Sequence, residues 1–485
     1  MRRFIALFAT SALFALVGGV VLAAPALAAE MQISQDPYTN PDSQHQTQVE
    51  PDVFSFGSTI VAVFQSGRYF DGGASNIGFS TSQDGGASFT PGFLPGTTDK
   101  ATPPGIYPRV SDPSIAYDRK HNVWVASYLG LFPPTHPNGV DVLVSRSTDG
   151  GLTWGNPIAV NASGAFNDKN WTRCDNTQTS PFFGNCYTAW DNASNGNLAL
   201  VSTSSDGGLT WGAAKSPPNG FSTIGNQPVV LASGKVVVLY NAFASSQIKA
   251  YSSTDGGNTF SSPVVVASQI AHATQGGLRD PGLLSAAARQ PGPIVVTWED
   301  CRFESGCGAN DIVMSSSTDG VTWTPVARIP IDPVGSNVDH FIPGVTIQPQ
   351  GTTRSTSVHI ALGYYYYPVS NCGGACQLNV GFVFSANGGA TWSAPAHLAG
   401  PMSLSWLANT NQGRMVGDYM GTAYSGNNAF PVYADASAPV GSLFQEAMFT
   451  TQEAASSQIG VFTRASSAGA HHFLSVRSHT PKTAN

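Results

Sequence analysis

The chain has 485 residues, 22 Lys and Arg against 29 Asp and Glu, a formal net charge of −7, and only 11% charged residues. That acidic balance excludes nucleic acid and anionic membrane surfaces, which a basic face would hold. Abundant Gly, Ser, Thr and Asn suit an all-β surface crowded with turns rather than a disordered chain.

In chain order, Met1-Arg2-Arg3, the apolar run Phe4 to Leu22 and the small residues Ala26-Leu27-Ala28 predict a secretory signal peptide over 1–28. Its removal takes away two arginines and no acid, moving the net charge from −7 to about −9. No second apolar span of membrane length follows, so a secreted, extracellular chain with no membrane span after cleavage is expected, read as a monomer.

Residues 29–465 carry two interleaved repeats, and 466–485 form a polar C-terminal tail. The first repeat is a polar or acidic residue, usually near Pro, that introduces an apolar stretch about every sixty residues. The seven introductions are Glu50-Pro51, Asp112-Pro113, Asp168-Lys169, Gln227-Pro228, Asp280-Pro281, His340 before Pro343, and Asp418-Tyr419. Each leads to a second strand, in order Val61 to Gln65, Val123 to Tyr128, Tyr187 to Trp190, Val236 to Tyr240, Ile294 to Trp298, Val358 to Tyr364 and Ala429 to Tyr433.

A third strand then runs into the second repeat, Ser-Thr-Asp-Gly-Gly-Leu-Thr-Trp at Ser147 to Trp154. Variants stand at Ser82 to Phe89, Ser204 to Trp211, Ser253 to Phe260, Ser317 to Trp323 and, with Asn387 for the acid, Ser385 to Trp392. These predict hairpin turns: the Asp carboxylate accepts backbone N–H groups, the glycines take positive φ, and the aromatic ring folds back over the turn.

Four short strands per unit predict a single β-propeller of seven blades, with six blades plus a tail as the alternative. The seventh third strand, Phe444 to Thr450, lacks the turn repeat. Ring closure by a borrowed outer strand, from Gln32 to Gln35 or from Gly460 to Arg464, accounts for that.

Three close cysteine pairs, Cys174 with Cys186, Cys301 with Cys307 and Cys372 with Cys376, predict three local disulfides in an exported chain. No His lies at ligand spacing to them, so no metal site is expected there and no cofactor is required.

The innermost strand of a propeller blade lines a central channel, so the seven introductions are expected to gather Glu50, Asp112, Asp168, Gln227, Asp280, His340 and Asp418 at one mouth. Arg68, Tyr69, Tyr107, Arg109, Arg173, Arg279, Trp298, Arg302, the run Tyr364 to Tyr367, Trp406 and Arg414 supply rings and guanidinium forks nearby, which suits a saccharide. Two other readings of the same residues stand beside this one. The polar groups pair with neighbouring backbone, or with Lys169 and Arg279, and lock the ring; or several carboxylates hold a structural calcium ion.

The turn repeats resemble the Asp-box of the sialidase (neuraminidase) superfamily across nearly the whole mature chain. The resemblance implies an arginine triad for a sugar carboxylate, a tyrosine nucleophile with a glutamate partner, and an aspartate acid/base. Gln65-Ser66-Gly67-Arg68-Tyr69-Phe70-Asp71 looks like the family's second arginine followed by that aspartate. At the family's first arginine, however, this chain reads Gln48-Val49-Glu50-Pro51, and a lost guanidinium removes a bidentate contact.

The expectation is therefore a secreted sialidase-like glycoside hydrolase, or a non-catalytic glycan- or protein-binding propeller as its rival. Asp71, Glu299, Tyr419 and Glu50 are the candidate catalytic residues; Arg68, Arg109, Arg279, Arg302, Asp112, Asp280, His340 and Asp418 are the candidate substrate-binding ones. Two carboxyls about 5 Å apart would retain the sugar's configuration, and about 6.5–9.5 Å apart would invert it.

Overall fold

A computed structural model describes residues 29–132, 139–242, 245–349 and 357–455, and the backbone at 462–463 and 465–466. The predicted signal peptide and nearly all of the predicted tail lie outside the described residues. Within them the chain is all-β and antiparallel, with four single 3₁₀ turns and no α-helix.

Seven meandering units follow one another. The first is built from Gln48–Phe56, Thr59–Arg68, Ala74–Ser82 and Thr90–Phe93, and the second from Arg109–Asp118, Val123–Leu131, Val140–Ser147 and Ile158–Asn161. Asn167–Cys174, Ile224–Val230, Ser285–Ala288, Asp339–Ile347 and Gly421–Ser425 open the third to seventh. Each opening strand packs on that of the next unit, and Gly421–Ser425 packs back on Gln48–Phe56, giving a propeller-like arrangement around one axis.

The outer strand of the seventh unit comes from the start of the described chain: Met31 pairs with Thr450 and Gln32 with Phe449. This is the N-terminal of the two closures expected. The C-terminal candidate goes elsewhere, since Phe462 pairs with Trp392 in the sixth unit and Ala465 with Arg328 in the fifth. Trp190, Trp298, Trp392 and Tyr364, buried among the strands, anchor the packing, each removing an aromatic surface of order 150–250 Å² from water.

The turn repeat has the expected chemistry. Asp149 accepts the N–H groups of Leu152 and Thr153 at 3.1 and 3.0 Å and the Thr153 hydroxyl at 2.5 Å, while Trp154 Nε1 donates to Gly151 O at 3.1 Å. Asp84, Asp206, Asp255 and Asp319 repeat the pattern, and their carboxyls are held below the usual range by those hydrogen bonds. All three expected disulfides are formed.

The opening strands carry a feature that sequence reading did not supply. Pairing slips between Val49 and Asp52, Ser111 and Ser114, Asp168 and Trp171, Ile224 and Gln227, and Phe341 and Gly344. Inside these bulges Glu50, Asp112, Lys169, Gly225 and Ile342 take φ of 57°, 50°, 48°, 69° and 49°. A bulge re-aims the residue it carries, and here it decides which side chains reach the axis.

Candidate functional site at the axis

Because of the bulges, the structurally equivalent positions are Glu50, Asp112 and Lys169, not the sequence series with Asp168, Gln227 and His340. The Lys169 ammonium lies 2.6 Å from Asp418, 3.2 Å from Asp112 and 3.6 Å from Glu50. Arg279 grips Asp418 from the other side through two hydrogen bonds, with Nε to Oδ1 at 2.6 Å. Gln65 donates to Glu50 and to Ser111 Oγ, and Arg68 donates to Gln65 Oε1 at 2.8 Å and Gly73 O at 3.2 Å.

Glu50, Asp112, Lys169 and Asp418 are all buried, so their protonation follows from burial and from one another. Burial, reinforced by Asp112 and Asp418 against Lys169, pushes the Glu50 carboxyl up to about 8. Burial likewise lifts Asp168 to about 6 and Asp191 well above the carboxylate range. Burial opposes ionisation at Asp418 and Asp112 too, yet Lys169 with Arg279, or with the Ser111 hydroxyl, holds both below their ordinary value. Near neutral pH the cluster is thus ionised Asp112 and Asp418 around Lys169 and Arg279, beside a protonated Glu50.

Of the sequence candidates, Glu50, Arg68, Asp112, Arg279 and Asp418 meet here. The others are placed elsewhere. Asp71 is half-exposed and paired with Arg109 at 2.5 Å, whose guanidinium lies 4.0 Å from the Tyr69 ring centre. Glu299, in the fifth unit, is buried beside the half-buried Asp280, and burial plus that neighbour raises its carboxyl well above the usual range. Asp280 accepts from the Thr274 hydroxyl at 2.5 Å and the Gly282 N–H at 3.1 Å. Arg302 chelates Asp300 at 2.8 and 2.7 Å.

Tyr419 is not an activated nucleophile. Its hydroxyl donates to Pro113 O at 3.0 Å, its ring meets Trp171 edge-on at 4.7 Å, and burial raises its pKa well above the usual phenol value. His340 stands apart from the axis, 5.5 and 6.0 Å from the Tyr364 and Tyr366 rings, and burial lowers it to about 4. It has Asp311 and Asp332 for neighbours, but Arg328 already bridges those two at 2.6 and 2.5 Å. Gln227 serves the ring itself, donating to Leu284 O at 3.1 Å and accepting from Ala286 N at 2.9 Å across to the next unit.

What the carboxylates require, a central positive charge, Lys169 supplies. Asp191 was missed by the sequence series, and Lys169 entered it only as a partner able to lock the ring, not as a residue that itself reaches the axis.

The axis is open on the other side of this cluster. A cavity of about 520 Å³ begins at Asp52 and Trp171, further along the same strands than Glu50 and Lys169, and runs to the opposite face at Phe56, Arg119 and Asn176.

No family model matches this chain, and no curated protein matches it. Among solved structures, a Hadza microbial sialidase is 18% identical over 66% of this chain, with a TM-score of 0.45; the match spans 64% of that chain, less than two thirds of its length. A protein of unknown function from Dyadobacter fermentans is 16% identical over 74% of this chain and 99% of its own, with a TM-score of 0.47. A leech intramolecular trans-sialidase is 12% identical over 71% and 70%, at 0.43. At such values the likeness carries no activity across.

Proposed function

We propose that the chain is an exported seven-bladed β-propeller that binds a glycan without hydrolysing it. One observation carries the choice between binding and hydrolysis: at the acidic end of the axis Lys169 and Arg279 are clasped by the chain's own carboxylates, and Arg68 is held by Gln65 and Gly73 O. Asp418 occupies the fork of Arg279 and the ammonium of Lys169, where a ligand's carboxylate would have to go. The remaining candidates for acid and nucleophile are scattered, with Asp71 in the first blade, Glu299 in the fifth and the Tyr419 hydroxyl committed to Pro113. Hydrolysis by two carboxyls needs them on either side of one bond.

Export is supported by the three disulfides, which persist in oxidising compartments. Glycan as the ligand is supported by guanidinium groups set over rings at both faces, Arg109 over Tyr69 and Arg119 over Phe56 at 5.8 Å. The test is a glycan array of sialosides, uronic-acid glycans and neutral oligosaccharides, read with the secreted chain. Binding that survives Asp71→Asn and Glu299→Gln, without product, is the expected result; turnover that either change abolishes contradicts it.

A second reading, hydrolysis, is favoured by one feature. Glu50, protonated up to about pH 8, sits beside carboxylates held ionised, and a split of that kind marks acid and base pairs. It predicts that Glu50→Gln removes turnover and spares binding.

A further inference from the structure

The cavity on the far side of the ion cluster differs in charge from the rest of the molecule. Its charged lining consists of three arginines, Arg119, Arg173 and Arg289, and one acid, Asp52, a net charge of +2 in a chain of −7. Arg173 pairs with Asp52 at 3.3 Å and donates to Ile115 O at 2.8 Å, so it belongs to the wall. Arg119, at the rim, has no carboxylate within ion-pair reach among the described residues.

Arg119 is also held in place. Its N–H donates to Asn176 Oδ1 at 2.9 Å, and Asn176 Nδ2 donates to Tyr117 O at 2.8 Å, tying the loop at 175–185 to the second blade. The Cys174–Cys186 disulfide closes that loop at its base. Phe56 stacks on Tyr117 with ring centres 4.3 Å apart, and Arg119 lies over the same ring. The result is a rigid rim; the lining also takes in Gln178, Gln290 and the Phe54 and Trp171 rings, over which the Arg173 guanidinium lies at 5.5 and 5.6 Å.

A cavity of 520 Å³, apolar in part and bearing a few fixed polar groups, matches the dimensions of small-ligand sites. Its lining reaches Asp52, Trp171 and Met420, each two residues along the chain from Glu50, Lys169 and Asp418 of the ion cluster. We propose that this channel is a binding site for the end of a carboxylate-bearing saccharide, with its carboxylate at Arg119. The location of the site stands on the cavity and its charge; the choice of a sugar rests on the glycan-binding reading above.

The experiment is calorimetric titration of the secreted chain with trigalacturonate and with the neutral galactotriose. Trigalacturonate is expected to bind at least about tenfold more tightly, because a guanidinium–carboxylate contact is lost in the neutral sugar. Arg119→Glu, at an exposed position, and Thr179→Trp, which narrows the opening, are each expected to weaken trigalacturonate by about tenfold or more, while Lys215→Ala, exposed and outside the channel lining, leaves it unchanged. Equal affinity for the two sugars, or insensitivity to both channel variants, overturns the assignment. Array binding that persists undiminished in Arg119→Glu and Thr179→Trp overturns the channel alone and keeps the glycan reading. An array with no binding overturns that reading itself.

Discussion

Replacing Lys169 by Met, similar in length and uncharged, removes the ammonium from three buried carboxyls at once. Asp418 keeps both of its bonds from Arg279, and Glu50 is already protonated near pH 7, so the loss falls on Asp112. That aspartate retains the Ser111 hydroxyl at 2.6 Å and no cation within reach among the described residues. If it stays ionised, an uncompensated buried charge costs roughly 3–5 kcal/mol. If instead it takes a proton, starting from an ordinary value of 3.8, the cost at pH 7 is about 4 kcal/mol at 1.36 kcal/mol per unit.

The two routes agree, and the second fixes the pH dependence. Without Lys169 the folded pKa of Asp112 rises above its unfolded value, so the folded state binds the extra proton and stability is lost as pH rises. The deficit of the variant shrinks to about 1.5 kcal/mol at pH 5, since each unit of pH is worth about 1.36 kcal/mol. Urea unfolding followed by tryptophan fluorescence at pH 5 and 7 reads both numbers, and Lys169→Met with Asp112→Asn is expected to recover most of the loss at pH 7. A deficit below about 1 kcal/mol at pH 7, or one equal at both pH values, refutes the reasoning.

Further outcomes follow from single contacts. With Glu50 raised to about 8 from 4.5, its contribution to stability is full below pH 4.5 and lost as pH climbs through about 8; Glu50→Gln should flatten that part of the stability profile. Asp149→Ala removes the acceptor for two N–H groups and two hydroxyls in an exposed turn, for a loss of about 1–2 kcal/mol in thermal unfolding. Deleting 29–35 takes away the outer strand paired with Leu443–Thr450 and the Ser34 hydroxyl that accepts from Met448 N at 2.8 Å, so amide exchange at 443–450 should rise well above that of the other sheets. Serine at both Cys174 and Cys186 opens a loop of twelve residues' separation and should cost about 2–4 kcal/mol, with the channel rim loosened first.

The strands and turns were legible in the sequence because their signals are local: alternation over a few residues, and an Asp-Gly-Gly turn that uses its own side chains. The borrowed outer strand was legible too, as a vacancy, since Phe444 to Thr450 lacked the repeat that ends every other third strand. The axis was read one or two residues out of place. A bulge shifts which residue points inward, and nothing local distinguishes Asp168 from Lys169 or Gln227 from Gly225 as its bearer. The idea that Lys169 and Arg279 lock the ring was available from composition, but their choice of Asp418, from 249 and 139 residues away, depends on closing the ring. The far channel had no sequence signal: its lining is drawn from the middles and ends of strands across several blades.

Glycan binding at a site without hydrolytic machinery, as proposed above, is checked by mass spectrometry of a glycan that the secreted chain retains, after prolonged incubation with the chain and with its Glu50→Gln variant. Unaltered glycan in both incubations, with binding preserved, is the expected result; product formed by the parent chain and absent with Glu50→Gln would show hydrolysis instead.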